Sequence, residues 1–392
     1  MQTKFSVFTN TAQNMVQAQR KNRFFLRYRI FMGGLAVLML LLAMFAYQHR
    51  YYRGYHKLQT VTEEASALPS MVPYRQGFIR YTTNTVTYYK YNGTKVWDST
   101  CSAKNPLVRV AGNYVVIADK EDVKVSLYDK NGEKKSFVSG HPVMDVELSN
   151  QGIFALITRA SKTNYIEMYN ENSEKLVGVK TTIDENGFPL DMTLSPNGKT
   201  LCVSYFIVDG LTTKNSLTFY DFSEKGEETK HLLGGFDLNN TIVPTVAFIG
   251  ESTVVAFGDD RIQVYQVGKK IKETKEIILG SNLKSIAYDD EHFAVVRERG
   301  AEEKDGNYTL EVFSKNGNRV GLCGVDEEYA DMTLVGDTVT LTGSYRSAIY
   351  SIRGSKIFDY KFSNKLAQII PGNKGREYFV GFNDRVDQIK LK

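Results

Sequence analysis

From about residue 70 onward, the chain alternates short apolar runs with polar turns, and helical spacing of apolar residues is nearly absent. The clearest runs come in pairs, such as Val143–Leu148 with Ile153–Thr158, and Leu190–Leu194 with Thr200–Phe206. The second pair is joined by Ser195–Gly198, and Gly and Asn tolerate the positive φ that tight hairpin turns require. The flanking residues alternate as in half-buried strands. This pattern predicts an all-β structure made of hairpins.

The hairpins belong to a longer repeat of four apolar runs, in which the third run ends in an aromatic or aliphatic residue before a turn. The ends of the third runs are Tyr91, Tyr128, Tyr169, Tyr220, Tyr265, Phe313, Tyr350 and Ile389. Their mean spacing of about 43 residues matches the length of a four-stranded propeller blade. The sequence therefore predicts a β-propeller of eight blades at approximately 70–100, 106–140, 142–182, 188–234, 243–279, 283–324, 329–362 and 366–392.

The last repeat has room for only three strands. We expect the missing outer strand to come from Lys57–Glu63, because pairing the two ends of the chain would remove an exposed sheet edge. A ring of seven blades is the alternative if the ends share a blade differently.

Before the repeats, Ile30–Tyr47 contains no charged residue. As a helix this segment would be about 27 Å long, which is enough to cross a bilayer. A cleaved signal peptide is the alternative, but the residues after the apolar run lack the small residues of a cleavage site. Basic residues are more numerous before the span than after it, which favours a cytoplasmic N-terminus. The expected order is a tail (1–29), a transmembrane helix (30–47), a linker (48–57) and an extracytoplasmic propeller (58–392).

The charge is uneven along the chain. Residues 1–29 contain six Lys or Arg residues and no acid. Without those six, the chain has 43 basic residues against 44 acidic ones. The repeats therefore have no basic excess for binding phosphates, and nucleic acid is not an expected partner.

The sequence contains no motif of a common hydrolase or metal site. The five histidines are scattered, and Cys101, Cys202 and Cys323 lie about a hundred residues apart. Neither set has the spacing of a zinc site or of a disulfide framework. The acidic run of Glu302, Glu303 and Asp305 lacks the alternating oxygen ligands of a calcium loop. We therefore expect no catalytic residues, no metal and no cofactor.

One polar position recurs near the start of the innermost strand of a repeat. It is occupied by Asp145, Asp191, Thr245, Ser285 and Asp331. Because innermost strands surround the central channel, these residues could form a polar ring at its mouth. The alternative is that each Asp accepts hydrogen bonds from backbone N–H groups of its own turn.

Two repeats carry long insertions between their second and third strands, and both are expected on one face of the disc. Loops of this kind often bind partners, although ordinary variation in loop length is the alternative. The candidate partner-surface residues are Val208, Asp209 and Lys214 in one insertion, and Glu302, Glu303 and Asp305 in the other.

The turn within Leu194–Lys199 resembles the Ser-Pro-Asp/Asn-Gly-Lys turn of bacterial WD-repeat-like, TolB-like and YVTN-type propellers. The whole layout, a basic tail, one span and then repeats, is similar to an uncharacterised family of membrane-anchored propellers from Gram-positive bacteria. This resemblance implies a fold and a location but no activity. Quinoprotein propellers use a Trp-docking motif. This chain lacks that motif, because Trp97 is its one tryptophan.

The function that we expect is a non-catalytic binding or scaffold module in the cell envelope, with a protein or an envelope polymer as partner. Two alternatives remain at this stage. One is a propeller lyase or hydrolase that acts on envelope polymers at the channel mouth. The other is a sensor that signals through a cytoplasmic partner. Fold alone does not decide among them.

Overall fold

The computed structural model describes residues 28–29, 31–41, 50–63, 68–210, 212–239, 241–300, 306–326 and 329–392. The chain forms two compact units, Met1–Tyr51 and Tyr52–Lys392. In the first unit, residues 28–29 and 31–41 are helical. No helix among the described residues is both long enough and apolar enough to cross a membrane. Residues 1–27 of the predicted tail, and residues 30 and 42–47 of the predicted span 30–47, lie outside the described residues.

The second unit consists of eight sheets of four antiparallel strands each, which confirms the prediction of eight blades rather than seven. Strands are numbered in chain order, and each blade is described from its innermost strand outward. Blades 1 to 4 contain β2–β5 (Ser70–Tyr74, Gly77–Tyr81, Thr85–Lys90, Lys95–Thr100), β6–β9 (Pro106–Ala111, Tyr114–Asp119, Lys124–Asp129, Gly132–Val138), β10–β13 (Val143–Leu148, Phe154–Ala160, Thr163–Tyr169, Lys175–Thr182) and β14–β17 (Phe188–Leu194, Thr200–Asp209, Thr212–Asp221, Leu232–Asn239).

Blades 5 to 8 complete the ring. They contain β18–β21 (Thr245–Ile249, Thr253–Phe257, Arg261–Gln266, Lys272–Ile278), β22–β25 (Leu283–Tyr288, His292–Glu298, Tyr308–Ser314, Arg319–Val325), β26–β29 (Asp331–Val335, Thr338–Thr342, Arg346–Ser351, Lys356–Lys361) and β30–β32 with β1 (Gln368–Pro371, Glu377–Gly381, Arg385–Leu391, Tyr55–Thr62). Two short helical segments, Ile183–Asn186 and Glu224–Thr229, lie in connections.

The chain's N-terminal strand closes the ring. Strand β1 pairs antiparallel with β32, from Tyr55 opposite Leu391 to Thr62 opposite Arg385. This confirms the predicted closure, although the strand begins two residues earlier than expected. The pairing gives blade 8 its fourth strand and covers what would otherwise be an open sheet edge.

The core is divided among the seams between blades. Among the described residues, each of the eight seams holds its own cluster of buried apolar side chains. In β7, Val115 and Ile117 pack toward blade 1, whereas Val116 and Ala118 pack toward blade 3. A middle strand is thus buried on both sides, because successive side chains point to opposite faces of the sheet. The second strands are therefore continuous apolar runs that are buried on both faces. The sequence pattern instead predicts strands with one buried and one exposed face.

The blades give the disc two faces. Connections from first to second strands and from third to fourth strands lie on one face, which we call the lower face. Connections from second to third strands and from blade to blade lie on the upper face. The predicted turn at Ser195–Gly198 is on the lower face, where Gly198 has a φ of 70° and its N–H donates to Ser195 O at 2.8 Å. A residue with a Cβ would be strained there.

Candidate functional site

The recurrent polar position lies on the innermost strands of blades 3 to 7. Asp145, Asp191 and Ser285 each follow an irregularity in the pairing of the inner strand with the second strand, a β-bulge or similar shift. Thr245 and Asp331 are the first residues of β18 and β26. Bulges redirect the side chains that follow them. The structure therefore places all five residues on channel-lining strands, but their contacts differ from blade to blade.

The strongest group of charges lies on the side of blades 2 to 4. Arg109, on β6, donates from Nε to Glu147 Oε1 at 2.5 Å and from Nη2 to Asp145 Oδ1 at 3.3 Å. Both acids belong to β10, so the guanidinium joins the inner strands of two blades. Asp191, on β14, is close enough to Asp145, Glu147 and Arg109 for their charges to shift its pKa. We call Arg109, Asp145, Glu147 and Asp191 the channel cluster.

The channel cluster has unusual proton affinities, because protein surrounds it while its groups still touch the channel lumen. Burial raises the pKa of Glu147 to about 7, against the opposing effect of Arg109. Burial, and then the charge of Asp145, raise the pKa of Asp191 well above its ordinary value. Burial also raises the pKa of Asp145, although Arg109 opposes it. Burial alone would lower the pKa of Arg109, but Glu147 and Asp145 outweigh it and the net shift is upward. Near neutral pH the cluster therefore holds an exchangeable proton.

Carboxylates and a hydroxyl on the inner strands also tie one blade to the next. Asp191 Oδ2 accepts from the backbone N–H of Val246 at 2.8 Å, and Thr193 Oγ1 accepts from that of Phe248 at 2.8 Å. Asp145 accepts from the N–H groups of Val146, in its own strand, and Met192, in the next blade. The partners are therefore mainly inner strands of neighbouring blades, whereas the alternative from sequence placed them in the same turn.

Asp331 and Ser285 are not part of the channel cluster. Asp331 bonds to the side chain of Gln368, whose Oε1 accepts from the N–H of Met71 at 2.6 Å. This chain of bonds links blades 7, 8 and 1. Ser285 Oγ accepts from Tyr329 Oη at 3.0 Å. The five residues thus line one channel without converging on one point, and the prediction that they bind a ligand together remains a prediction.

The histidines lie away from the channel cluster. His141 stacks on Tyr165, His231 contacts Phe222, and His292 lies 3.9 Å from Asp289. His56 is exposed on β1, and His49 is outside the described residues. Within the part of the chain that the structure describes, no three His, Cys, Asp or Glu side chains are grouped to hold a metal ion.

Sequence reasoning missed Arg109 and Glu147. Each is a charged residue with an apolar residue on either side of it in an inner strand, in Val108–Val110 and Val146–Leu148 respectively. A charged residue in such a strand indicates that the channel contains water or polar groups, because both faces of the blade are packed against neighbouring blades and the charge needs solvent or a partner. The pairing itself was not visible, since the two residues are 38 positions apart.

Beside the channel cluster, blades 4 and 5 expose apolar residues on the upper face. Phe188 is 41% exposed, Leu190 40% and Ile242 42%. The N–H of Val246 donates to Asp191, so the inner strands β18 and β14 lie side by side at the channel. Phe188 and Leu190 are in the first half of β14, and Ile242 lies in the connection that leads into β18. Large apolar side chains grouped at a rim often mark a binding surface.

The predicted insertion of blade 4 is a strand extension rather than a loop. Strands β15 and β16 pair as far as Val208 with Thr213 and Asp209 with Thr212, so they form a hairpin arm that projects on the upper face. Val208 is 60% exposed, and Lys214 pairs with Asp237 at 3.4 Å. The other three predicted partner-surface residues, Glu302, Glu303 and Asp305, lie outside the described residues.

These features define the class of the protein: an eight-bladed β-propeller whose central channel is lined by charged groups on one side. The chain belongs to a family of unknown function, DUF5711, whose model matches residues 48–391. No curated protein matches its sequence.

Solved structures with a similar fold are distant in sequence. Sqt1 of Saccharomyces cerevisiae is 10% identical, with a TM-score of 0.53 over 88% of this chain and 99% of that one. Chaetomium thermophilum Sqt1 bound to the N-terminus of ribosomal protein L10 is 12% identical, with a TM-score of 0.49 over 82% and 92% of the two chains. The Neurospora crassa Pan2 WD40 domain is 10% identical, with a TM-score of 0.47 over 74% and 89%. At this identity the likeness concerns the fold alone.

Proposed function

We propose that this propeller is a non-catalytic binding or scaffold module of the cell envelope, anchored by residues 30–47 with its N-terminus in the cytoplasm. The partner is a protein segment that contacts the upper face at the channel mouth. The observation that carries the proposal is the exposed apolar group of Phe188, Leu190 and Ile242 beside the channel cluster.

The chemistry of this surface suggests the kind of segment that fits. The channel cluster contains three carboxyl groups and one guanidinium, so it stays net negative even with one carboxyl protonated, and it attracts a cation that could enter the channel. The adjoining apolar group favours an aromatic or aliphatic neighbour of that cation. We therefore expect the partner to present a Lys or Arg next to an apolar residue.

The location is supported only by the sequence. The uncharged segment Ile30–Tyr47 follows a tail with six basic residues and no acid. This arrangement favours an N-terminus on the cytoplasmic side of a membrane. Protease added to spheroplasts tests this: digestion of the propeller region is expected, whereas its protection until the cells are lysed would contradict the topology.

Binding is tested by comparing partner capture between variants of the full chain in detergent. The double variant Phe188→Ser with Leu190→Ser is expected to lose a protein that the natural chain captures. The matched control is Val138→Ser with Leu176→Ser, because these residues are at least as exposed but lie on the outer strands β9 and β13. Equal capture by both variants, or equal loss, would contradict the proposed surface.

A hydrolase or lyase is the second candidate, and one observation favours it. Glu147, with its pKa near 7, could donate a proton at neutral pH beside carboxylates that could accept one. Against it, Arg109 bonds directly to Glu147 and Asp145. Turnover of an envelope polymer that is lost in Glu147→Gln, with binding unchanged, would favour the enzyme over the binding module.

A further inference from the structure

The lower face has a charge pattern that the channel does not explain. In the connections of blades 7, 8 and 1, every Lys and Arg side chain is exposed, and the only described acidic residue is Asp337. We call this part of the lower face the basic sector. Its cations are Arg53, Arg75, Arg353, Lys374, Arg376 and Lys392.

The rest of the lower face differs. The connections of blades 2 to 6 contain seven Lys residues but nine acidic residues in the described chain, so they have no basic excess. The acidic residues are Glu171, Glu174, Glu224, Glu227, Glu228, Glu251, Asp289, Asp290 and Glu291. The positive charge of the lower face is therefore concentrated in three neighbouring blades.

The basic sector is also where the chain joins the propeller. The N–H of Tyr52 donates to Ile357 O at 2.8 Å, and the ring of Tyr52 lies 5.7 Å from the guanidinium of Arg376. Gly54 and Lys392 exchange two backbone hydrogen bonds, at 3.3 and 2.9 Å. The chain is therefore fixed to the lower face from Tyr52 onward.

This attachment leaves a short tether. Four residues separate the end of the predicted span, Tyr47, from Tyr52. Fully extended, such a tether reaches about 17 Å. Anionic headgroups attract Lys and Arg within about a screening length of the membrane surface, which is about 8 Å at physiological salt. With the anchor proposed above, the basic sector can reach the headgroups, and at full extension of the tether it is about two screening lengths away from them.

We propose that the basic sector is a docking surface for anionic lipid headgroups. This inference rests on the anchored topology proposed above. Docking holds the lower face against the bilayer, so that the upper face and its channel mouth point away from the membrane toward a partner. Apart from Tyr51, which is 48% exposed just before the chain joins the sector, no large hydrophobic side chain is exposed in the described connections. The contact is therefore mainly electrostatic and does not require insertion into the acyl chains.

The experiment measures the distance of each face from the membrane. The full chain is reconstituted in vesicles of phosphatidylcholine, with or without phosphatidylglycerol, that contain a headgroup nitroxide quencher. Cys323 is replaced by Ser, since Cys101 and Cys202 are buried. A fluorophore is then attached at Asn373→Cys in the basic sector or at Asn84→Cys on the upper face, two positions that are exposed in the natural chain.

Quenching at position 373 is expected to exceed that at position 84 and to increase when phosphatidylglycerol is added. The increase should be lost when salt is raised from about 0.1 to about 1 M, because the screening length falls from about 10 to about 3 Å. Arg53→Glu with Lys374→Glu should reduce quenching at position 373 by about two-fold or more in anionic vesicles only. The matched control, Lys269→Glu with Lys270→Glu, changes the same charge on the lower face of blade 5 and should have no effect.

The possible failures are distinguishable. If the protein does not float with the vesicles after a high-salt wash, the anchored topology is wrong and the docking inference falls with it. If it floats but quenching is equal at the two positions, or is insensitive to phosphatidylglycerol, the anchor stands and the docking surface is wrong. An equal effect of the blade 5 control would show general charge attraction and would also overturn the basic sector.

Discussion

Two arginines lie in seams between blades, and they differ in exposure and in hydrogen bonding. Arg109, between blades 2 and 3, keeps a third of its side chain exposed to the lumen and bonds to Glu147 and Asp145. Arg80, between blades 8 and 1, is 2% exposed, and its Nη1 lies 3.7 Å from Glu63 Oε2. Among the described residues, Nε and Nη2 of Arg80 have no hydrogen-bond partner.

The difference follows from how the two seams are held together. The seam of blades 2 and 3 joins consecutive parts of the chain, and charged groups contribute to it at the channel. The seam of blades 8 and 1 completes a ring that strand β1 has already closed by pairing with β32. A buried charge stabilises a seam only where partners replace its lost water. Arg109 should therefore be needed and Arg80 dispensable.

Of the changes that test this comparison, removing strand β1 is expected to lower the stability of the propeller most. Deletion of residues 55–62 leaves β32 as an open edge and exposes part of the cores that hold Tyr55 and Val61. We expect a loss of more than about 5 kcal/mol, which is the whole stability of many domains, together with aggregation through the free edge. Size-exclusion chromatography and thermal unfolding measure this. A monomeric product with an unchanged melting temperature would show that the ring does not depend on its closure.

Replacing Arg109 by Met has the next largest expected effect. Glu147 and Asp145 would then lie in the channel without their cation, and we expect a loss of about 3 kcal/mol in the free energy of unfolding. Urea unfolding measures the loss. The triple variant with Glu147→Gln and Asp145→Asn is the control, because it removes the stranded charges and should recover most of the loss. A full loss in the triple variant would mean that Arg109 acts through packing alone.

Much of the fold could be predicted from the sequence, because each blade is a local unit. The hairpin turn at Ser195–Gly198 and the aromatic ends of the third strands mark a repeat that needs no long-range information. The closure by β1 followed from counting three strands in the last repeat. The arm at Val208 was harder to predict, because an insertion that continues the strand pairing looks the same in sequence as a loop.

The channel cluster was only half visible in the sequence. Asp145 and Asp191 were identified by position, but their partners depend on how neighbouring inner strands are aligned. Pairing shifts before both residues set this alignment, and such shifts leave no clear mark in the sequence. Arg109 and Glu147 also belong to strands that look apolar overall. Which charge meets which across a seam is a property of the closed ring.

The acid at the centre of the Arg109 seam should make stability depend on pH. The folded-state pKa of Glu147, about 7, is above its unfolded value of about 4.5. Between these values the folded protein binds more protons than the unfolded chain, so the free energy of unfolding rises as pH falls from about 7 to about 5. The shift corresponds to at most about 3 kcal/mol.

Glu147→Gln isolates this effect, because the other acids titrate in both proteins. We expect the natural chain to gain stability relative to Glu147→Gln when the pH is lowered from 8 to about 5, as measured by urea unfolding at several pH values. A constant difference between the two proteins over this range would mean that Glu147 ionises normally in the folded state.

Replacing Arg80 by Met should have the smallest effect. Burial lowers the pKa of Arg80, and Glu63, the partner that opposes this shift, is not within hydrogen-bond distance. Removing a poorly paired buried charge costs packing but relieves desolvation, so we expect a change within about 1 kcal/mol of zero. Arg297→Met is the matched control, since Arg297 is 7% exposed but bonds to Glu311 at 2.7 Å, and its loss should cost about 3 kcal/mol. If urea unfolding gave equal losses for the two variants, burial rather than pairing would decide what a charge contributes to a seam.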